Sequence, residues 1–153
     1  MRRKNQEITD KKIIEEILSQ STVCRIAMMD HDRPYILPFN YGYSDNAIYI
    51  HSAPEGKKID LLKQNNKVCF EIESYCEVIA NELSCEWTTR YRSVVGYGFI
   101  EFITDYEQKR QALDYIMAQY GRKENNIYKE KQVELIVILK LHIEEICGKQ
   151  LGE

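Results

Sequence analysis

From Trp87 to Ile103 the chain follows a long β-prone run that holds two glycines, Gly96 and Gly98. Glycines so close together predict a bend or bulge in a curved sheet. Other segments read as strands around it: Ser21 to Met29, Tyr35 to Tyr43, Ala47 to His51 and Val68 to Ile72, with Val133 to Ile146 as the closing strand before Gly148. Turn chemistry at His31-Asp32-Arg33-Pro34 and at Ser44-Asp45-Asn46 predicts that the first three follow one another as a meander. Glu73 to Glu86 carries no clear period.

Helical spacing is confined to three places. Ile13, Ile14, Ile17 and Leu18 form an apolar stripe within Ile8 to Leu18, which predicts a short helix lying over the sheet. Lys57 to Gln64 suits a two-turn helix closed by Asn65-Asn66. Thr104-Asp105-Tyr106-Glu107 has the capping-box pattern, followed by Ala112, Leu113, Ile116, Met117 and Tyr120 up to Gly121. Hairpin-linked strands with few helices predict a mainly β fold with flanking helices, an antiparallel barrel rather than a βαβ sheet. Without repeats or a linker, residues 1–153 read as a single domain.

Composition narrows the function classes. At 153 residues with 44% hydrophobic content, the chain can bury a core without staples, and disordered or collagen-like classes are excluded. Lys+Arg 21 against Asp+Glu 24 gives a net charge of -3, which offers no basic field for nucleic acid. The apolar run from Val133 to Leu141 is broken by Glu134 and Lys140, so no membrane span is expected. Met1-Arg2-Arg3-Lys4 is basic, but Glu7, Asp10, Lys11 and Lys12 follow where a signal peptide needs an apolar core, so a cytoplasmic location is expected. The five cysteines form no CxxC and the three histidines no HExxH, so we expect reduced thiols, with Cys24 and Cys69 as small core residues, and no zinc site.

Gly56-Lys57-Lys58 lacks the upstream Gly and following Ser/Thr of a P-loop, and Gly96-Tyr97-Gly98 lacks the third glycine of a dinucleotide fingerprint. More informative is Tyr49-Ile50-His51-Ser52-Ala53-Pro54-Glu55-Gly56-Lys57-Lys58, where a strand ends in small residues and a helix opens on two cations. Such a helix start suits a phosphate monoester, although Ser52-Ala53-Pro54-Glu55 is itself a capping-box pattern that would place Glu55 there instead. A solvated lysine pair is the other reading. His51 reads either as a ligand or as a strand-end histidine with an ordinary hydrogen bond. In Tyr91-Arg92-Ser93-Val94-Val95-Gly96-Tyr97-Gly98 the glycines admit either a flat ligand or a barrel corner.

Leu37-Pro38-Phe39-Asn40-Tyr41-Gly42-Tyr43, Ile48-Tyr49-Ile50-His51-Ser52-Ala53 with Gly56-Lys57-Lys58, and Tyr91 to Gly98 together resemble the pyridoxamine 5'-phosphate oxidase-related flavoproteins, most of all the nitroimidazole-resistance-type branch. The similarity runs from about Arg2 to Lys149. It implies an FMN-binding split barrel acting as a homodimer, with flavin sites at the subunit interface. Lys57 and Lys58 match the basic pair on the FMN phosphate, and His51, Ser52 and Ala53 match the strand end beside the flavin. Pro38, Phe39 and Asn40 fall on the strand whose backbone lines the ring. Ser93, following Arg92, matches a position where the oxidase carries an amide, and its hydroxyl offers fewer hydrogen bonds. The oxidase's terminal basic residues for pyridoxal phosphate have no match, so vitamin B6 oxidation is not implied.

The resemblance thus implies a flavoprotein reducing a small organic oxidant, such as a nitroaromatic, with electrons from a nicotinamide donor, His51 being the candidate proton donor. A non-catalytic flavin or haem carrier is the alternative, His51 being the group that makes haem conceivable. A ligand-free dimer is the third.

Overall fold

The computed structural model describes residues 4–152; Met1, the basic Arg2 and Arg3, and Glu153 lie outside them. In chain order come β1 (Glu7–Ile8), α1 (Lys11–Gln20), β2 (Val23–Asp30), β3 (Arg33–Asn40), β4 (Gly42–Ser44), β5 (Ala47–Ser52), α2 (Lys57–Gln64), β6 (Lys67–Ile79), β7 (Thr88–Ile103), α3 (Tyr106–Gln119), α4 (Glu130–Glu134) and β8 (Val137–Leu151). All the strands join one sheet in the order β3-β2-β6-β7-β8-β5-β4, with β1 on β8, and every pairing is antiparallel.

One link forces this sheet to curl. β3 and β4 stand at opposite ends of the hydrogen-bonded order, yet only Tyr41 separates them in sequence. A single residue spans only about 3.5 Å. The two edges must therefore meet, and the sheet closes on itself into a barrel with a seam at Tyr41. The expected meander fails for the same reason: β2 and β3 form a hairpin, as do β4 and β5, but the chain crosses the seam between them. Pro34 lies inside β3 opposite Met29 rather than in a turn, which an edge strand tolerates because it need not donate on both sides.

Side chains facing inward fill the barrel, among them Cys24, Ile26, Ile48, Ile50, Phe70, Ile72, Val94 and Leu141, with Ile17 and Leu18 of α1 closing over them. Cys24 is fully buried, as expected, and Cys69 half-buried. A Cβ on Gly96 would overlap the Phe70 ring, and one on Gly98 would overlap the His142 carbonyl. The ladder between β7 and β8 shifts register at Tyr97/Gly98. Close packing at a bulge thus accounts for both glycines without a ligand.

The remaining differences are local. Glu73 to Glu86 is unreadable because β6 continues to Ile79 with a register shift between Glu73 and Tyr75, which breaks the alternation. Asp105, not Thr104, caps α3, its Oδ2 accepting from the Gln108 amide at 3.0 Å, since Asp-x-x-Gln repeats the capping pattern one residue later. β8 begins only at Val137 because Val133 belongs to α4, whose carbonyls at Val133 and Glu134 accept from the buried Lys109 ammonium at 3.2 Å. Ile8 pairs with Gly148 in β1 rather than starting α1. Among the described residues no helix is long and apolar enough to cross a membrane.

Candidate functional site

α2 is held by burial of Ile59, Leu61 and Leu62, which leaves Lys57 exposed and Lys58 half-buried at its first turn. Gly56 caps it at φ 108, in the left-handed region that favours glycine, and no side chain caps the helix. Ser52-Ala53-Pro54-Glu55 does not form its capping box: the Ser52 hydroxyl donates to the Ala53 carbonyl at 2.9 Å, and the helix starts beyond Glu55. Nothing lies within 4 Å of a Cβ built on Gly56. An open helix start with unfilled amide donors and two ammonium groups fits a phosphate monoester.

Both lysines lean on β3. The Lys57 ammonium lies 2.6 Å from Asp30 Oδ2 and 4.7 Å from the centre of the Tyr35 ring, and that of Lys58 lies 5.9 Å from the Phe39 ring. His31 Nδ1 contacts the other Asp30 oxygen at 3.0 Å. These partners hold the Asp30 carboxyl below its usual range, Lys57 first and His31 second, and Asp30 in turn raises Lys57. Asp30, His31 and Tyr35 are not among the site residues that the sequence predicts, where His31 counts only as turn chemistry and Tyr35 as a strand start. They reach α2 through the β2–β3 hairpin, and nothing near Lys57 in the chain announces them.

Phe39 turns inward against the core, while Pro38 and Asn40 are exposed and the Asn40 amide donates to the Thr22 carbonyl at 3.2 Å. In the hydrogen-bonded order β3 pairs only with β2, so the backbone of Pro38, Phe39 and Asn40 has an open edge. At the end of β5, His51 is exposed opposite Ile138, whereas Ser52 is buried opposite Val137. Successive strand residues face opposite sides. His51 therefore projects on the outer face and Ser52 toward the core, and exposed Ala53 follows.

Arg92 and Ser93 are placed apart from this group. They pair with Gln150 and Lys149 of β8, and Arg92 Nη1 lies 4.0 Å from Glu16 of α1. The lateral row Phe39, Cys24, Ile72, Val94 sets them three strands from β3, about 14 Å at the usual spacing. Between the groups runs an outer face with exposed Met29, Ile36, Val95 and Tyr97. Ile36, Ala27, Cys69 and Tyr97 form one continuous row across four strands.

A family model described as pyridoxamine 5'-phosphate oxidase matches residues 10–150. The chain is 35% identical to a candidate 5-nitroimidazole antibiotic resistance protein from Bacteroides thetaiotaomicron VPI-5482, with a TM-score of 0.84 over 94% of this chain and 86% of that one. The FAD and haem binding protein from Mycobacterium smegmatis superposes with a TM-score of 0.84 over 97% of this chain and 74% of its own, at 20% identity, a likeness of fold alone. An uncharacterised protein of Rhizobium meliloti (strain 1021) is 31% identical over 68 residues, a match that spans 44% of this chain and 44% of that relative's length. Sheet order and these likenesses agree on the antiparallel split barrel that the sequence predicts.

Proposed function

Because the chain belongs to the pyridoxamine 5'-phosphate oxidase family, we propose that it is a flavoprotein, an FMN-binding oxidoreductase that reduces a small organic oxidant with electrons from a nicotinamide donor. The observation that carries this reading is the uncapped start of α2, with Lys57 and Lys58 set against the open edge of β3. The resistance-type relative points to a nitroaromatic as the oxidant to test first.

When bound, the flavin supplies the electron transfer between donor and oxidant. The chain's own residues hold and orient it. Lys57, beside Asp30, and Lys58, over the Phe39 ring, are the groups that would hold the phosphate. Amides of the first turn of α2 complete the cradle. The open backbone edge at Pro38, Phe39 and Asn40 aligns the ring, and Ser52 and Ala53 shape the strand end beside it. His51, on the exposed outer face at the end of β5, is the candidate proton donor.

Arg92 and Ser93 join the site only if a second copy brings them, which makes a homodimer part of the proposal. The apolar outer face at Met29, Ile36, Val95 and Tyr97 is the surface that such a copy would cover. A cytoplasmic location and the absence of nucleic-acid or membrane partners complete the reading. Haem is the weaker alternative, because an axial histidine needs an apolar pocket around the porphyrin and His51 stands exposed.

The test is turnover paired with cofactor retention. Steady NAD(P)H oxidation with a nitroaromatic, lost together with FMN in the Lys57→Ala/Lys58→Ala variant, is the expected result. A chromophore that stays bound without turnover would assign the chain to the carriers. Unchanged flavin content in the variant would remove both lysines from the site.

A further inference from the structure

A second cleft lies away from α2, between α3 and the outer face of β5, β8 and β7, with a volume of about 280 Å³. We propose that it binds a small aromatic monocarboxylate, paired with Lys140 and packed against the rings of Tyr49 and Tyr115.

Strand register builds the cleft floor. Tyr49 pairs with Lys140 and Lys140 with Glu101, so the three side chains stand in one row on the outer face. Register alone would pair Lys140 with Glu101 across the ladder. Instead, Glu101 Oε2 lies 2.6 Å from His142 Nε2, and the His142 ring stacks on Phe99 at 4.8 Å. Lys140 sits 5.8 Å from the Tyr49 ring centre, and among the described residues no carboxylate oxygen lies within 4.0 Å of it. The cation is thus held at the cleft wall without an anion.

α3 supplies the opposite wall. Gln108, Gln111 and Tyr115 recur at helical spacing toward the cleft, and the side-chain amides of the two glutamines have no hydrogen-bond partner among the described residues. Tyr115 meets Tyr49 with ring centres 4.9 Å apart and planes tilted 47°, an aromatic corner suited to a flat ring. Burial raises the Tyr49 phenol, so it stays protonated as a donor.

The chemistry follows from these parts. One ammonium and two amides are positioned to bind a carboxylate, and the tyrosine corner favours a ring over an aliphatic chain. Glu101 beside them opposes a second negative charge, which selects a monoanion over a phosphate or dicarboxylate. The volume is at the small end of ligand pockets, enough for one ring with its carboxylate.

The experiment titrates the isotope-labelled protein, saturated with FMN, with sodium benzoate while backbone amide shifts are followed. Saturable shifts clustered on residues 99–103, 108–115 and 138–142 are expected. Benzamide and terephthalate should each bind about tenfold more weakly, the loss of one charge-assisted contact. Lys140→Gln should weaken benzoate by about tenfold, and Gln111→Glu, at an exposed helix position, gives the same loss without touching the sheet. No saturation below about 10 mM, shifts centred on α2, or unchanged affinity in both variants would overturn the proposal.

Discussion

The phenol of Tyr41 donates a 2.7 Å hydrogen bond to the carbonyl of Leu18, joining the seam of the barrel to the last turn of α1. That carbonyl is one of the helix's terminal acceptors, and it also accepts from Gln119 of α3 at 2.9 Å. Gln119 in turn accepts from the Tyr43 amide at 3.3 Å. One buried polar network therefore binds α1, the seam and α3 where the two sheet edges meet.

Tyr41→Phe keeps the packing and removes that donor. Because Gln119 still serves the Leu18 carbonyl, the cost should be near the low end for a buried hydrogen bond, about 1 kcal/mol. Urea unfolding checks it: a lowered midpoint is expected, and an unchanged one would mean the seam is held by packing alone.

Gly98→Ala should cost considerably more, about 2 to 3 kcal/mol, because the added methyl meets the His142 backbone rather than a side chain that could move. Gly96→Ala should also be costly, since its methyl meets the Glu145 carbonyl at 2.6 Å as well as the Phe70 ring, and thermal unfolding of both variants measures the two costs. A midpoint unchanged by either methyl would contradict the close packing at the bulge.

Asp30→Asn releases Lys57 from its carboxylate, and FMN should then bind a few-fold more tightly. The same pair predicts a pH effect. The Asp30 carboxyl is lowered in the folded state, so its contribution to stability is present above its ordinary value of about 3.9 and is lost as the pH falls through the lowered one. The stability gap between the natural protein and Asp30→Asn should close across that acidic range. A gap that stays constant with pH would show that Lys57 and His31 do not hold the carboxylate in solution.

Tyr97→Glu and Ile36→Glu place a charge in the apolar row across β7 and β3. Light scattering should give a dimer for the natural chain and a monomer for either variant, with FMN lost as the partner's Arg92 and Ser93 are removed. A monomeric natural chain that still binds FMN would contradict the interface and its role in the site.

Much of this architecture is readable from residue pattern, because alternation and turn chemistry act locally. The end of β7 at Ile103 and the span of α2 follow from Thr104-Asp105 and Asn65-Asn66 in this way, while β5 runs to Ser52, one residue past the His51 that the sequence predicts. The seam at Tyr41 is different. From Leu37 to Tyr43 the β-prone residues continue past Asn40 and Gly42 and read as one strand, and only the distant partners β2 and β5 separate β3 from β4. Lys57 and Lys58 are visible as a charged helix start, but their neighbours Asp30 and Tyr35 arrive through tertiary contact. The cleft at Lys140 is hidden for the same reason: Tyr49, Glu101 and Gln111 lie on different elements and meet only through strand register and the docking of α3.

The central claim is that this split barrel carries a flavin, and the most direct test is the visible absorption spectrum of the purified protein, repeated on the supernatant after denaturation. A flavin spectrum with FMN released is the predicted result. A Soret band, or a colourless protein that also fails to take up added FMN, would contradict it.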